Sequence, residues 1–342
     1  MTDFTILADK ALQDELLTRE ECLAVLNAPN DRLLELLQAA FKVRERYFGK
    51  TVRLQMLLNA KSGACQEDCG YCSQSSVSTA PIERYGLLAK EQMVTGARRA
   101  AAAKAQRYCI VISGRSPLDR EIADIASAVR SIKQDIPIQI CCSLGLLNER
   151  QAKDLKAAGV DRINHNLNTS EAYHAEICST HTFQDRLATI RHARTAGLEI
   201  CSGGIVGMGE GDEDLIDLAL ALREVKPDSI PLNMLHPASG TPLEHCTPLT
   251  PQRCLKALCL FRFLHPRTEL RIAGGREHNL RSLQPLALYP ADSVFVNGYL
   301  TTPGQPAAEV WRMIEDLGFD IQVDTPAPGT TPATEPAVGL HS

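Results

Sequence analysis

From residue 51 onward, eight short β-rich runs alternate with helical stretches, and this alternation restricts the fold more than any other feature of the chain. The expected strands are Val52–Leu58, Tyr108–Ser113, Ile138–Cys142, Arg162–Asn166, Glu199–Val206, Ser229–Met234, Glu269–Ala273 and Ser293–Asn297. Helix-like segments separate them at Gln92–Lys104, Ile122–Lys133, Glu149–Ala158, Phe183–Thr195, Leu215–Arg223, Pro251–Phe263 and Leu280–Leu288, and Ala307–Leu317 follows the eighth run. Several helices stop at a glycine that leads directly into the next strand, as in Ala158-Gly159-Val160 and Ala196-Gly197-Leu198, which is the C-cap chemistry of an αβ loop. Eight strand–helix pairs have the size and order of a (βα)8 TIM-type barrel, an α/β fold. A doubly wound open sheet usually has fewer strands and places G-x-G-x-x-G after its first strand; here the first run leads instead into Asn59-Ala60-Lys61-Ser62-Gly63-Ala64-Cys65.

Ahead of the barrel, Thr18-Arg19-Glu20-Glu21 has capping-box spacing before Cys22–Leu26, and a second helix over Asp31–Phe48 stops at Gly49. The expected organisation is an N-terminal helical extension (1–50), the barrel (51–320) and a tail (321–342). That tail carries Pro326, Pro328, Pro332 and Pro336 among Thr, Ala and Gly, too few large apolar residues to pack, and is expected to be disordered.

Twelve cysteines then need an explanation. A chain of 342 residues buries roughly 75% of its unfolded surface and needs no disulfide or metal merely to hold a core. The N-terminus lacks the basic and apolar regions of a secretory signal, and no run approaches the ~18 apolar residues of a membrane span. The expectation is a cytoplasmic chain with no membrane partner, where thiols stay reduced and serve metal binding or catalysis. A net charge of −5 argues against nucleic acid as a partner.

Three of the cysteines, Cys65, Cys69 and Cys72, form a C-x3-C-x2-C spacing just after the first strand. Thiolates are soft ligands suited to iron–sulfur clusters, zinc or Cu(I). A structural zinc site wants a fourth ligand close by; the nearest histidine downstream is His165, and no further cysteine occurs before Cys109. Three ligands on a cube of four irons leave one iron with an open position for a small molecule. A loop at the C-terminal end of a barrel strand is where catalytic groups collect.

A second constellation is spread over four expected strands: Cys109 in the second, Cys141 in the third, Cys201 in the fifth and Arg271 in the seventh. Alternate residues of each barrel strand point into the lumen, so these side chains can converge there despite their separation in sequence. Cys142, adjacent to Cys141, points out of the lumen if the strand is regular; a bulge would reverse that and permit a larger auxiliary cluster. Cys22, Cys178, Cys246, Cys254 and Cys259 form no ligand spacing and read as small core hydrophobes. The histidines show neither H-E-x-x-H nor a cysteine–histidine zinc pattern, and there is no G-x-x-x-x-G-K-[ST] phosphate loop.

C-x3-C-x-aromatic-C, with Tyr71 as the aromatic residue, resembles the signature of the radical S-adenosylmethionine enzymes. The longer string from Asn59 to Ser75 is similar to that of the biotin synthase family, and the resemblance covers about residues 15 to 320. It implies that Cys65, Cys69 and Cys72 hold a [4Fe–4S] cluster whose open iron chelates S-adenosylmethionine, which one electron cleaves to methionine and a 5′-deoxyadenosyl radical. It also implies that Cys109, Cys141, Cys201 and Arg271 bind a [2Fe–2S] cluster, the source of the sulfur placed into dethiobiotin. An arginine ligand is unusual, because guanidinium is protonated and has no acceptor; general principle favours a counter-ion role for Arg271.

The same resemblance puts Asn166 and Asn233 against S-adenosylmethionine and dethiobiotin. It sets the glycine-rich stretch with Gly203 and Gly204 beside the methionine end of the cofactor. The best-known members read N-H-N-L-D where this chain reads Asn164-His165-Asn166-Leu167-Asn168, so Asn168 stands where an aspartate contacts the cofactor ribose. The implied activity is that of a sulfurtransferase inserting sulfur into dethiobiotin, with a flavodoxin or ferredoxin as electron donor and a homodimer as the assembly. A related maturase or lyase on the same barrel would lack the set of Cys109, Cys141, Cys201 and Arg271. A passive electron carrier would normally offer each cluster four protein ligands.

Overall fold

The computed structural model describes residues 2–323 of the chain. Three helices come first: α1 (Phe4–Leu12), α2 (Arg19–Leu26) and α3 (Leu33–Phe48). Asp3 caps α1 by accepting from the Thr5 N–H at 2.9 Å, and α2 starts on the expected capping box of Thr18 and Glu21. Helix α1 falls within the expected helical extension and buries Phe4, Leu7, Ala8 and Ala11, which recur at helical spacing. At the end of α3, Gly49 takes a φ of 57°, which ends the helix without a side-chain penalty.

The strands follow as β1 (Thr51–Lys61), β2 (Arg107–Ile112), β3 (Gln139–Ser143), β4 (Arg162–Asn164), β5 (Glu199–Cys201), β6 (Gly204–Val206), β7 (Ser229–Met234), β8 (Glu269–Ile272) and β9 (Ser293–Phe295), with a short β10 (Asp320–Ile321). All pairings among them are parallel, and β9 pairs back onto β1, so eight strand positions close into the expected (βα)8 barrel. Short strand β10 lies outside this ring, pairing Asp320 and Ile321 with Thr51 and Val52. Paired structure thus extends to the first residue of the expected tail, and 324–342 lie outside the described residues.

Two elements differ from the sequence reading. The fifth barrel strand is interrupted at Ser202-Gly203, although the register with β7 is unchanged on either side: Cys201 faces Ser229 and Gly204 faces Leu232. Gly203 therefore stands opposite Pro231, whose nitrogen cannot donate to the ladder. A Cβ at Gly203 would lie 2.0 Å from the Pro231 carbonyl oxygen, so only glycine permits this approach. The expected helix Leu280–Leu288 is instead a short α-helix, Arg276–Leu280, followed by a 3-10 run, Arg281–Leu288; Pro285 in its middle removes a backbone donor.

Period-2 alternation sorts the side chains. Tyr108, Ile110, Ile140, Cys142, Ile163, Ile200, Leu270 and Ile272 point outward into the main hydrophobic core under the helices. Residues of the opposite parity fill the lumen. The N-terminal helices cover one flank, packing α3 on the helix Pro251–Leu264, and this leaves Cys254 through Leu264 buried on every face. A fully buried ion pair between Arg262 and Asp292 (2.6 Å), extended by Arg53 (2.7 Å), ties that helix to the barrel floor. No helix among the described residues is long and apolar enough to cross a membrane.

Candidate active site in the barrel

The lumen is arranged in tiers. At the N-terminal end, Glu269 accepts from three guanidiniums, Arg271 at 2.6 Å and Arg107 and Arg162 at 3.2 Å each, with Gln55 donating at 2.6 Å. Burial opposes the charge on Glu269, but Arg271, Arg107 and Arg162 outweigh it and hold the carboxyl well below the usual carboxylate range. Glu199, about half exposed, pairs with Arg162 at 2.6 Å.

Directly above lie Cys109, Cys141, Cys201 and Arg271, and the strand register explains why. Cys109 pairs with Cys141 across β2 and β3, while β3 is regular, so Cys142 turns outward into the helical core. Cys109 and Cys141 share a separate apolar cluster with Val111. Their thiols hydrogen-bond, which draws the proton to Cys109; against burial, Arg162, Arg107 and Arg271 favour the negative charge on Cys141. On the opposite wall Arg271 Nη1 lies 3.5 Å from Cys201 Sγ, which also receives the Asn164 amide at 3.2 Å. Arg271 thus points one N–H of its guanidinium at Cys201 while its other nitrogens are bound to Glu269 and Ser229. Three guanidiniums against one buried carboxylate leave positive charge around three thiols, a setting that fits an anionic thiolate-bound cluster.

The upper tier opens into a cavity of about 330 Å³ lined by Cys65, Cys69, Tyr71, Cys72, Asn164, His165, Asn166, Asn168, Asn233 and Val111, among others. A larger groove of about 970 Å³ lies outside the barrel between the helices Phe183–Thr195 and Asp212–Val225 and carries no cysteine or histidine. The cysteine loop leaves β1 through Gly63, whose φ is 73°, and is pinned from behind where the Gly70 N–H donates to Ile177 O at 2.9 Å. Among the described residues, no two of Cys65, Cys69 and Cys72 belong to one group tight enough for a single ion. All three thiols line the same cavity and are too widely set to hold a single ion together, a donor set that suits a multi-iron cluster.

Tyr71, Asn166, Asn168 and Asn233 all line this cavity, but much of the asparagines' hydrogen-bonding capacity is already used within the chain. Asn166 Oδ1 accepts from the Gly203 N–H at 3.1 Å, and the Asn233 amide spans Gly204 O at 3.1 Å and the Gly274 N–H at 2.9 Å. Gly203 and Gly204 themselves serve packing: their missing Cβ atoms make room for Pro231 and for Leu218. Asn168 occupies a left-handed conformation, φ 73°, that asparagine tolerates, and donates to the Tyr71 hydroxyl at 2.5 Å. His165 lines the cavity with an Nε2 that has no partner among the described residues; burial, then Arg186 and His181, keep its ring neutral.

One cysteine read as a core hydrophobe is placed differently. Cys178 Sγ lies 3.7 Å from Cys69 Sγ, 3.1 Å from Asp68 Oδ1 and 3.2 Å from His181 Nδ1. Its bond to Cys69, helped against burial by His181 and Thr180, pulls the Cys178 thiol down to about 4, while Cys69 is pushed up by the same bond and by burial. The Cys178-x-x-His181 spacing was the available signal. It lacked meaning until folding brought Cys69 beside it.

A barrel of this form with a C-x3-C-x2-C loop at its mouth defines the radical S-adenosylmethionine class, and the model of the Radical SAM superfamily matches residues 60–222. A second model, the Biotin and Thiamin Synthesis associated domain, matches residues 231–320. The chain is 52% identical over 319 residues to a biotin synthase of Anoxybacillus flavithermus, covering 93% of this chain and 97% of that one. It is 50% identical to one of Bacillus subtilis, covering 94% and 96%. The chain belongs to the biotin synthase family. Among solved structures, methylornithine synthase matches with a TM-score of 0.82 at 20% identity over 92% of this chain and 97% of that one. The FeFe-hydrogenase maturase of Carboxydothermus hydrogenoformans matches at 0.79 and 20% over 94% and 80%. At that identity these two speak for the fold alone.

Proposed function

We propose that this chain inserts sulfur into dethiobiotin to form biotin. In this reading Cys65, Cys69 and Cys72 hold a [4Fe–4S] cluster that takes S-adenosylmethionine, and Cys109, Cys141, Cys201 and Arg271 hold a [2Fe–2S] cluster. The observation that carries it is the stacking of two thiol sites along one lumen, with the cavity between the mouth loop and Val111 on the Cys109 and Cys141 side. When bound, the cofactors supply the electron, the 5′-deoxyadenosyl radical and the sulfide.

The chain's own residues supply position, charge and exclusion of water. Asn166 and Asn233 face the cavity with their amides fixed by backbone groups, so they present a set orientation to the cofactor and to dethiobiotin. Tyr71 and Asn168 join the cysteine loop to the end of β4, which supports a ribose contact from Asn168 in spite of the lost carboxylate. Glu269 keeps Arg271 aligned on Cys201. A closed lumen suits a reactive alkyl radical, since positioning and dryness suppress side reactions. A low-potential flavodoxin or ferredoxin as electron donor and a homodimeric assembly complete the reading and rest on the family alone.

Anaerobic reconstitution tests it. Iron and sulfide analysis with Mössbauer spectra should reveal both a four-iron and a two-iron centre. Dethiobiotin with S-adenosylmethionine and a low-potential reductant should then yield biotin, methionine and 5′-deoxyadenosine. A cluster spectrum that ignores added S-adenosylmethionine would instead favour a passive electron carrier.

A further inference from the structure

Cys178, which neither proposed cluster uses, places its sulfur 3.7 Å from that of Cys69. The backbone holds the two together. On one side the Gly70 N–H donates to Ile177 O at 2.9 Å; on the other, Asp68 accepts from the Ser179 and Thr180 N–H groups at 3.0 and 3.2 Å. These bonds clamp residues 177–180 to the cysteine loop whatever the sulfurs themselves do. Both cysteines are buried in a small apolar cluster with Ile177, Met208 and Leu235.

The donors and acceptors around Cys178 decide which way a bond between the sulfurs runs. A free Cys69 thiol can donate to Cys178, but a Cys69 bound to iron is a thiolate without a proton, so the bond then needs the Cys178 S–H. The other acceptors within reach are engaged. Asp68 Oδ1 lies at 3.1 Å from the Cys178 sulfur, and the two backbone N–H groups already occupy it. Thr180 Oγ1, at 3.5 Å, accepts from the Asp68 N–H at 3.2 Å and donates to Glu67 at 2.5 Å. His181 Nδ1, at 3.2 Å, faces Glu67 Oε2, and with its proton given to that carboxylate it is no acceptor. His181 Nε2 is 3.8 Å away, and a neutral nitrogen at that distance competes poorly with an anionic sulfur. The carboxylates of Glu67 and Asp68 stand against a second negative sulfur beside Cys69.

We infer that Cys178 is a positioning residue that acts through Cys69: its S–H donates to the iron-bound Cys69 sulfur and raises the reduction potential of the mouth cluster. The inference rests on the proposed [4Fe–4S] site at Cys65, Cys69 and Cys72. A hydrogen bond to a ligating sulfur offsets part of the charge that reduction adds, and it counts for more in apolar surroundings. Cys178 thereby eases the one-electron reduction on which cleavage of S-adenosylmethionine depends.

The test uses the full chain with its clusters reconstituted anaerobically. A redox titration followed by electron paramagnetic resonance reads the midpoint potential of the cluster whose signal responds to S-adenosylmethionine. Cys178→Ala should move that potential to more negative values, and Cys178→Ser, which keeps an O–H donor, should fall between it and the unmodified chain. Cys246→Ala removes another thiol packed against the same apolar cluster and should leave the potential where it is. Electron–nuclear double resonance of the reduced cluster should show a proton coupling that exchanges in D₂O and is missing in Cys178→Ala. A potential that stays put in Cys178→Ala, or becomes more positive, overturns the inference and leaves the cluster reading intact. Failure of the cluster to assemble in both Cys178 variants would make Cys178 an iron ligand and overturns it too. An unmodified chain that forms no four-iron centre responsive to S-adenosylmethionine would instead remove the cluster reading, and this inference with it.

Discussion

At the barrel mouth, three thiols come from eight consecutive positions of one loop; in the lumen, three thiols and a guanidinium come from β2, β3, β5 and β8. The first set is brought together by chain continuity. The second exists only because strand register aligns Cys109 with Cys141 and places Arg271 across from Cys201. Their surroundings differ as well. The mouth cysteines share an accessible cavity with amides and a neutral histidine, whereas the lumen thiols sit over a buried layer of arginines and one glutamate. A loop site leaves a cofactor exposed to its co-substrate, and a site inside closed strands holds one in a fixed, charged and dry setting.

The largest effect that can break this comparison is expected from Cys65→Ala, which should reduce 5′-deoxyadenosine formation to background. Turnover of S-adenosylmethionine at the unmodified rate would remove the mouth loop from the chemistry. Cys201→Ala should separate the two tiers: the spectrum of the S-adenosylmethionine-responsive cluster persists while biotin formation is lost, and a variant that still made biotin would take the sulfur-donor role away from the lumen.

Glu269→Ala addresses the charged floor. Removing the one buried carboxylate among Arg107, Arg162 and Arg271, where Arg162 keeps only the half-exposed Glu199, leaves buried positive charge uncompensated, and urea unfolding of the cluster-free chain should show a loss of about 3–5 kcal/mol. A loss below about 1 kcal/mol would mean the guanidiniums find other partners. Cys142→Ala should have the smallest effect, about 1 kcal/mol of stability, with unchanged iron and sulfide content. Loss of iron would show that this outward-facing thiol takes part in the auxiliary site after all.

Much of this was legible in the sequence because the relevant signals are local. Eight alternations of strand and helix specify a barrel, the spacing of Cys65, Cys69 and Cys72 specifies a loop of soft ligands, and the even–odd rule separates Cys141 from Cys142 without reference to any neighbour. The resemblance sets Gly203 beside the cofactor; its position opposite Pro231 adds that the backbone itself needs the space, and no local pattern reveals what lies across a sheet. The helix expected at Leu280–Leu288 tightened into a 3-10 run where Pro285 removed a donor, a residue visible in the sequence but outweighed by the apolar pattern around it.

Periodicity, caps and ligand spacing act over a few residues, so the sequence by itself determined the barrel, its first cysteine loop and the direction each strand residue faces. Tertiary structure alone decided which distant groups meet. Arg271 became a bridge between Glu269 and Cys201 through the register of β8 with its neighbours. Cys178 changed from a small apolar residue to a partner of Cys69 because Asp68 and Gly70 bind the segment 177–180 to the cysteine loop. The physical reason is the same in both cases: a side chain's chemistry depends on the charges and donors within a few ångströms, and for buried groups that neighbourhood is assembled from segments that only folding brings together.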